Sequence, residues 1–391
     1  MRSAESVVYL EVISLAVFVV SSLAVAYVYF GYPLLVLVAA RLFPRNVIRE
    51  AIEPTVTIII TAYNEERDIC RKIENTLALD YPPDKLDIIV ASDGSTDGTD
   101  ELVQRYAGRG VSLFRQEGRV GKTYTQNRAV EQASGDIILF SDATTTYRSD
   151  VVKALVQNFA DPTVGCVAGR LVYKDDVGSG VGTGAKSYWG YETALKMGES
   201  RVCSLIGVSG CLYAVRRSAY RPMSPEACSD FLIATVIFRD GLRSVLETNA
   251  VCFEETNRQS EKEFRMRIRV IAQTFGDLWR NRDMLNPFKS GFYAIQLLSH
   301  KVGRYSVPFF MISIFVSSLI LGFSSNVFLF IALLQVAFYL AAGFGWFMEK
   351  NGVSNRFLAI PFYFLLGNVA TVAGFLKFLK GERYVQWEPA R

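Results

Sequence analysis

A long uncharged run near the start of the chain limits what it can fold into. No residue from Val12 to Ala40 is charged, and about 20 consecutive apolar residues are enough to span a bilayer as a helix. The run therefore predicts a membrane-spanning helix, and it is too long for the core of a signal peptide. Arg41, Arg45 and Arg49 follow it. Because basic residues collect on the cytoplasmic side, the region after Ala40 is expected in the cytoplasm.

Two more apolar stretches lie near the end of the chain. Tyr305 to Phe347 is uncharged and long enough for two helices, and Phe357 to Leu376 suits one more. One membrane helix before the middle of the chain and three after it would place the C-terminus outside. Basic tail residues favour the inside instead, namely Lys377, Lys380, Arg383 and Arg391. The sequence leaves two explanations open: one apolar segment is re-entrant, or the tail charge is too weak to decide.

The middle of the chain alternates apolar runs with polar segments of helical spacing. Four runs predict buried strands: Thr55–Thr61, Leu86–Ala91, Val111–Phe114 and Asp136–Ser141. The helical segments between them predict right-handed crossovers, and hence an α/β fold whose mostly parallel sheet is covered on both faces. Four parts are expected: a first membrane helix (1–45), an α/β domain (46–258), amphipathic interfacial helices (259–303), and membrane helices with a basic tail (304–391).

Composition excludes several functional classes. A net charge of +4 without a Lys/Arg-rich block does not suit a nucleic-acid-binding protein. The six cysteines form no C-x-x-C pair, which argues against a zinc site and fits reduced, buried thiols. His300 is the one histidine and lies beside an apolar stretch, so a Ser-His-Asp triad is not expected. His300 and Lys301 are interpreted as an interfacial anchor.

Polar clusters follow three of the predicted strands. They comprise residues 61–66, 92–99 and 142–145, and ligands of open α/β sheets bind outside the carboxyl ends of the strands. Each cluster alone is also explained by helix capping, because Asp, Ser and Thr start helices well. Three clusters at successive strand ends favour a binding site.

The clusters carry an ordered set of motifs between Pro54 and Leu246. They read TAYNEE, ASDGSTDGT, GRVGKTYTQN, FSDATT, SGCLYAVRR and SDF. In this order they resemble the family-2 glycosyltransferases, which have the Rossmann-like GT-A fold. The flanking apolar helices resemble the membrane-anchored branch of that family, which includes processive polysaccharide synthases. The resemblance implies a nucleotide-sugar donor and a GT-A catalytic domain flanked by transmembrane helices.

The same resemblance implies donor-binding roles for seven residues. These are Thr61, Tyr63, Glu65, Asp93, Arg119, Lys122 and Asp142. Asp93 would accept a hydrogen bond from the base, and a uracil imide is a suitable donor. Lys122 and Arg119 would approach the diphosphate or the sugar, because cations are natural partners of that dianion.

Asp142 corresponds to the first carboxylate of the family's D-x-D metal motif, and Thr144 stands where the second Asp is expected. One carboxylate can still hold Mg²⁺ or Mn²⁺, since these ions keep waters and take phosphate oxygens as ligands. A hydroxyl is a weaker ligand, so weaker metal binding is expected. The alternative is that Asp142 only hydrogen-bonds the sugar.

Asp230 matches the family's catalytic base, although Ser229 stands where many members have Glu. Displacement at the anomeric carbon needs a group that takes the proton of the acceptor hydroxyl. Asp230 is also well placed to cap a helix, and both roles are compatible. Gly210 and Cys211 fall where the family places acceptor-side contacts, and a glycine there suggests close approach of the backbone to a ligand.

Residues 261–282 predict an amphipathic helix rich in arginine. It either lies at the lipid interface, or some of its arginines reach the diphosphate. The candidates for that contact are Arg265, Arg267 and Arg269. The Q-x-x-R-W string of processive relatives is absent from the chain, which weakens the case for a polymer synthase.

The leading hypothesis is an inverting glycosyltransferase of cell-surface glycan or polysaccharide biosynthesis, in a plasma membrane of bacterial or archaeal type. It would move a sugar from a nucleotide sugar, with UDP favoured, to a membrane lipid or lipid-linked acceptor such as a lipid-linked glycan or polyprenyl phosphate. One alternative is a processive synthase that extrudes its polymer, and its pore would need a homo-oligomer. A non-catalytic membrane binding or transport protein is another, but transporters repeat helices with polar breaks.

Overall fold

The computed structural model describes residues 2–174, 180–255, 260–353 and 355–387. The predicted boundary between residues 258 and 259, and the basic residue Arg391, lie outside these ranges. The described strands form one eight-stranded sheet. They are β1 (Val56–Ala62), β2 (Leu86–Ser92), β3 (Val111–Arg115), β4 (Ile137–Asp142), β5 (Thr146–Tyr147), β6 (Val164–Lys174), β7 (Leu212–Arg216) and β8 (Arg243–Glu255).

The sheet has the order β3-β2-β1-β4-β7-β6-β8-β5. The four strands predicted from sequence pair in parallel on one side, and β7 joins them antiparallel to β4. Every residue of β1 is buried. Ile58 and Ile60 pack into the core on one face, while Ile59 packs into the core on the other, because successive side chains of a strand point to opposite faces. The predicted α/β fold with a mostly parallel sheet is confirmed.

The register of the central strands brings the polar clusters together. Thr61 of β1 lies opposite Asp142 of β4, and Ala62 lies opposite Ser92 of β2. Because the strands are parallel, their carboxyl ends meet at one edge of the sheet. The three clusters therefore share one rim.

Fourteen α-helices are found in the described part of the chain, joined by short 3₁₀ turns and two π-helical segments. The first seven are α1 (Arg2–Ala26), α2 (Tyr32–Leu42), α3 (Ile69–Leu77), α4 (Thr99–Gln104), α5 (Lys122–Val130), α6 (Val151–Val156) and α7 (Gly180–Val202). The others are α8 (Ser229–Arg239), α9 (Ser260–Arg280), α10 (Pro287–Ser290), α11 (Phe292–Gln296), α12 (Arg304–Gly322), α13 (Asn326–Lys350) and α14 (Arg356–Leu379). The π-helical segments are Tyr27–Gly31 and Leu297–Gly303.

Four helical segments among the described residues are long and apolar enough to cross a membrane. They are Ser6–Leu42, Phe292–Gly322, Asn326–Lys350 and Phe357–Leu379. The prediction of one segment before the domain and three after it is confirmed in number. Their exposed apolar side chains, such as Leu23 and Leu340, are what a lipid-facing surface requires.

The last of these segments packs along α9. Phe264 contacts the start of α14 through Phe362, and near its end Phe275 packs on Phe375, with ring centroids 5.1 Å apart. Between these two contacts along α9, Ile271 meets Gly374 of α14 so closely that a Cβ on the glycine would overlap it. The apolar face of α9, expected to meet lipid, is therefore covered largely by protein.

The tail after α14 contacts the α/β domain and α9. Gln273 of α9 donates to the Tyr384 carbonyl at 2.8 Å, and Arg383 bonds to Glu226 of the α/β domain at 2.8 Å. Groups in contact lie on the same side of any membrane, so an even number of crossings separates the domain from the tail. This arrangement favours the explanation in which one apolar segment does not span the membrane.

Candidate active site

The first two strand ends are joined by a network of hydrogen bonds. Asn64 has a positive φ of 53°, which Asn tolerates better than most residues. Its amide oxygen accepts from the Thr96 N–H at 2.8 Å, and its own N–H donates to Ser95 Oγ at 3.1 Å. The buried Glu65 donates its N–H to Thr99 Oγ1 at 2.8 Å. These bonds give the rim a defined shape before any ligand arrives.

Asp93 anchors the turn at residues 118–122. Its carboxylate, which is fully buried, accepts from the N–H groups of Val120 and Gly121 at 2.9 and 3.0 Å. The Thr125 hydroxyl donates to it at 2.9 Å. Because these donors belong to the chain itself, the contact of Asp93 with a nucleobase stays a prediction.

Lys122 and Asp142 form an ion pair at the centre of the rim. Burial lowers the pKa of the Lys122 ammonium, but the carboxylates of Asp142 and Asp230 outweigh it and raise the pKa above its ordinary value. Lys122 is therefore a cation at neutral pH. It begins α5 and lies beside Asp142 at the end of β4. Thr61 lies beneath this pair, is buried, and accepts a hydrogen bond from Gln126 at 3.3 Å.

Asp230 completes the centre from the start of α8. A Cβ added at Gly210 would lie 3.3 Å from Asp230 Oδ2 and 3.5 Å from Lys122 Nζ, so the glycine leaves the space between them open. The Cys228 thiol donates to Asp230 Oδ1 at 2.9 Å. The structure thus brings together Asp230, Lys122, Asp142 and Gly210.

Asp277 supports the start of α8 from α9. Its buried carboxylate accepts from the Cys228 N–H at 2.9 Å and from Arg280 at 2.9 Å. Burial raises the pKa of Asp277 to about 6. Sequence reasoning missed this residue. Asp277 lies between Phe275 and Leu278, on the apolar side of the predicted amphipathic helix. An Asp at that position is the signal that could have identified it.

The three arginines of α9 have different environments. Arg269 is half-buried, and burial lowers the pKa of its guanidinium against the opposing fields of Asp230 and Asp142. Arg267 bonds to Glu263 at 2.8 Å and to the Tyr363 hydroxyl. Arg265 is exposed and lies 3.8 Å from Glu261. The described structure therefore brings Arg269 to the site but records no contact of Arg265 with it.

The Cys211 side chain, predicted on the acceptor side, points away from the centre formed by Asp230 and Lys122. It is buried, and its Sγ lies 3.2 Å from the Sγ of Cys252 in the core. It follows Gly210 directly, and alternation along the chain turns it away from the site. Its backbone carbonyl accepts from the Tyr147 hydroxyl at 3.3 Å.

Lys72 is a second charged residue that sequence reasoning missed. It is fully buried in α3, its ammonium lies 3.5 Å from the centroid of the Tyr147 ring, and it donates to Thr145 at 3.4 Å. Burial lowers its pKa to about 7. Lys72 shares the buried helix face with Ile69 and Ile73. A lysine on an apolar helix face is the sequence signal that could have identified it.

The C-terminal tail, residues 381–387, crosses the turn that Asp93 anchors. The guanidinium of Arg119 donates to the Trp387 carbonyl, and Gln386 donates to the Arg119 carbonyl at 2.9 Å. Arg119 also stacks 4.0 Å from the centroid of the Tyr63 ring, which meets the Trp387 ring edge-on at 6.0 Å. Gly121 has a φ of 99°, and a Cβ there would overlap the tail backbone. The tail therefore covers two of the predicted donor-binding residues.

A cavity of about 350 Å³ adjoins Asp230 on the side away from the tail. Its lining includes Phe231, Tyr29 of the first apolar segment and Phe364 of α14. The cavity therefore links the candidate base to the apolar helices. Pockets of this size hold small-molecule ligands.

The chain is similar to several known proteins. Residues 57–221 match the family described as Glycosyl transferase family 2. An N-acetylglucosaminyltransferase of Rhizobium leguminosarum bv. trifolii is 35% identical over 133 residues, which are 32% of this chain and 72% of that protein. The poly-beta-1,6-N-acetyl-D-glucosamine synthase of Staphylococcus aureus (strain COL) is 26% identical over 236 residues, or 58% of this chain. The chain spans about half of that relative's length, since the match covers 52% of it.

A solved structure is similar over nearly the whole chain. It is the mannosyltransferase PcManGT from Pyrobaculum calidifontis in complex with GDP-Man and Mn²⁺, with a TM-score of 0.71 at 23% identity. The match covers 96% of this chain and 100% of that chain. At this identity the likeness shows the fold, and the GT-A fold predicted from the motifs is confirmed.

Proposed function

Because the chain belongs to glycosyltransferase family 2, we propose that it transfers a sugar from a nucleotide sugar to a membrane-associated acceptor with inversion. The convergence of Lys122, Asp142 and Asp230 around Gly210 carries this proposal. One cation, one metal-competent carboxylate and one further carboxylate in an open space are the groups that such a displacement needs.

The donor's diphosphate is assigned to the cationic side of the rim. Lys122, Arg119 and Arg269 supply positive charge there, and charged hydrogen bonds to phosphate oxygens are short and strong. A UDP-sugar is the donor to test first. GDP-mannose, which accompanies the mannosyltransferase of similar fold, is the second.

Asp142 fits a divalent cation. Among the residues that the structure describes, no group of three acidic, His or Cys side chains is gathered that could hold a metal alone. Asp142 offers a single hard oxygen donor, which suits Mg²⁺ or Mn²⁺ when diphosphate oxygens and water complete the shell. When bound, the ion would neutralise charge on the leaving diphosphate.

Asp230 is assigned the role of general base. Its carboxylate takes the proton of the acceptor hydroxyl as that oxygen bonds to the anomeric carbon. The bond from this carbon to the diphosphate breaks, and the nucleoside diphosphate leaves with the electron pair. Lys122 stabilises the charge that develops on the diphosphate. A single attack from the opposite face inverts the anomeric centre.

The cavity beside Asp230 supports a membrane-associated acceptor, because residues of the apolar helices line it. The basic tail supports a cytoplasmic active site, because basic residues collect on the cytoplasmic side of a membrane. Arg383 makes the contact with the domain, and Lys377 precedes it in the chain. A processive synthase is the second candidate, favoured by the match to a polysaccharide synthase.

A donor screen tests the function. The detergent-purified enzyme is incubated with UDP-sugars and GDP-mannose, with and without Mn²⁺, and with a membrane-lipid extract as acceptor. We expect metal-stimulated transfer of one sugar to a lipid-extractable product. Long polymers under excess donor would support the processive candidate, and no turnover of any nucleotide sugar would contradict both.

Trp387 is expected to hold Tyr63 in the orientation that binds the donor. Replacing Trp387 with alanine removes the ring that packs on Tyr63, and an aromatic pair contributes about 1 kcal/mol. Because Tyr63 would then have to be ordered by the donor, we expect the dissociation constant for the donor to rise about fivefold, measured by calorimetry. Trp346→Ala is the matched control, because Trp346 is 46% exposed and lies in α13, away from the tail and the donor rim. Equal dissociation constants for the two variants would contradict a role of the tail.

A further inference from the structure

The two oxygens of the Asp230 carboxylate have different surroundings. Oδ2 borders the open space at Gly210, since a Cβ added there would lie 3.3 Å from Oδ2 and 3.5 Å from the Lys122 ammonium. Oδ1 accepts a hydrogen bond from the Cys228 thiol at 2.9 Å. Oδ2 is therefore the oxygen next to the space that a ligand can enter, whereas Oδ1 is bonded to the protein itself.

The Cys228 thiol is the hydrogen-bond donor in this contact. Cys228 is 7% exposed, and burial together with the charge of Asp230 raises the pKa of the thiol well above its ordinary value. The thiol therefore keeps its proton at neutral pH. An ionised carboxylate can only accept hydrogen bonds, so the S–H group points to Oδ1. A thiol is a weak donor, but the charge of the acceptor strengthens the bond.

The position of Cys228 is held by both its backbone and its side chain. Cys228 is the N-cap of α8, its N–H donates to the buried Asp277 of α9 at 2.9 Å, and its carbonyl accepts from the Leu232 N–H at 2.8 Å. Its side chain packs in an apolar cluster that includes Leu278 of α9. Support of this kind keeps the groups of an active site in a fixed geometry. The thiol therefore meets Asp230, two residues further along the chain, in one defined orientation.

Charged and titratable groups of four other elements surround the pair of Cys228 and Asp230. They are Lys122 of α5, Arg269 and Asp277 of α9, Tyr213 of β7, and Lys301 of the second π-helical segment. The residue before Lys301, His300, is 4% exposed and lies 2.8 Å from Glu199, so it is no interfacial anchor. Within the described part of the chain, the hydrogen bond recorded for the Asp230 carboxylate comes from Cys228.

We propose that Cys228 is a positioning residue that holds Oδ1 of Asp230, so that Oδ2 takes the proton of the acceptor hydroxyl. This inference rests on the proposed function and goes beyond it by assigning the proton to one atom. The O–H bond of the acceptor breaks and its proton goes to Oδ2. The acceptor oxygen bonds to the anomeric carbon, and the nucleoside diphosphate leaves with the electron pair. The thiol keeps its own proton, and its bond favours the ionised form of the carboxylate.

The pH dependence of transfer tests this role. Wild type, Cys228→Ala and Cys228→Ser are compared by kcat/KM for a membrane-lipid extract as acceptor, at a saturating concentration of the nucleotide sugar that wild type uses. Loss of a hydrogen bond to the ionised form makes a carboxylate easier to protonate. We expect the acidic limb of the profile to move about half a pH unit to higher pH in Cys228→Ala. Cys228→Ser keeps a donor at this position and should keep the wild-type limb, and the dissociation constant of the donor should be unchanged in both variants.

Cys203→Ala is the matched control, because Cys203 is also 7% exposed and lies in the same apolar cluster. It should keep the wild-type profile. A second readout is the infrared S–H stretching band, which should lie at lower frequency for the thiol lost in Cys228→Ala than for the one lost in Cys203→Ala, because the bond to the carboxylate weakens S–H.

Two results would overturn the inference while transfer itself persists. One is a Cys228→Ala profile equal to that of Cys203→Ala, and the other is a serine variant that shifts as far as the alanine variant. Equal S–H frequencies for the two thiols would overturn the hydrogen bond itself. Absence of transfer by wild type would instead count against the proposed function, and the infrared comparison would still test the bond.

Discussion

Replacing Asp230 with asparagine is expected to lower sugar transfer about 10³-fold while leaving the dissociation constant of the donor within about twofold of wild type. The amide keeps the size of the carboxylate but cannot take a proton. Donor affinity should persist, because Lys122 and Asp142 lie on the donor side of the open space at Gly210. Transfer is measured with saturating donor and acceptor, and donor binding by calorimetry in the presence of Mn²⁺.

The control for this variant is Asp240→Asn. Asp240 follows the last turn of the same helix, α8, and bonds to Arg221 at 2.9 Å, so it tests whether loss of a carboxylate from α8 matters in general. We expect it to keep wild-type transfer. If Asp230→Asn retained transfer within tenfold of wild type, the assignment of Asp230 as the base would be wrong.

Asp230 also illustrates what the sequence could predict. A motif predicts its role as a base, whereas the capping role that the sequence also allows is wrong, because Cys228 occupies the N-cap and Asp230 is the second residue of α8. Its surroundings could not be inferred, because they come from distant parts of the chain. Asp277 lies 49 residues beyond Cys228, and no local pattern links their backbone and side chain. The motif predicts the residue, and tertiary packing determines its environment.

The sheet was more predictable than the membrane region. β1 and β4 are mainly apolar because both faces of a central parallel strand are buried. The strands β6, β7 and β8 were not predicted, since their apolar runs are mixed with polar residues and lack the βα rhythm. Hydropathy identified α14 as a candidate span, but its course along α9 depends on the fit of Gly374 to Ile271. Length and hydropathy do not contain that information.

The tail could not be placed from sequence for the same reason. Trp387 contacts Arg119 across 268 positions of sequence, and neither residue has a spacing that points to the other. The buried Lys72 is a different case, because the helical spacing of Ile69, Lys72 and Ile73 in the sequence already places this lysine on the apolar face of α3.

Replacing Asp142 with asparagine is expected to lower transfer about 10²-fold or more and to remove the effect of Mn²⁺ on donor affinity. The reason is that Asp142 is the proposed oxygen ligand of the ion, and a metal contributes several kcal/mol of charge stabilisation in such reactions. The variant also deprives Lys122 of its ion-pair partner. Donor binding is measured by calorimetry with Mn²⁺ and after chelation, in wild type and variant alike.

This design separates the two roles that the sequence left open for Asp142. If the carboxylate holds the ion, wild type binds donor more weakly after chelation, whereas the variant binds donor equally with and without Mn²⁺. If Asp142 only hydrogen-bonds the sugar, the variant keeps its response to Mn²⁺, and the metal assignment is wrong. Asp136→Asn is the control, because Asp136 immediately precedes the amino end of the same strand, is exposed, and accepts from Thr55 at 2.8 Å. A substitution that far from the rim should change neither donor affinity nor its dependence on the ion, so a matching loss there would reveal a general effect on β4 instead of a metal site.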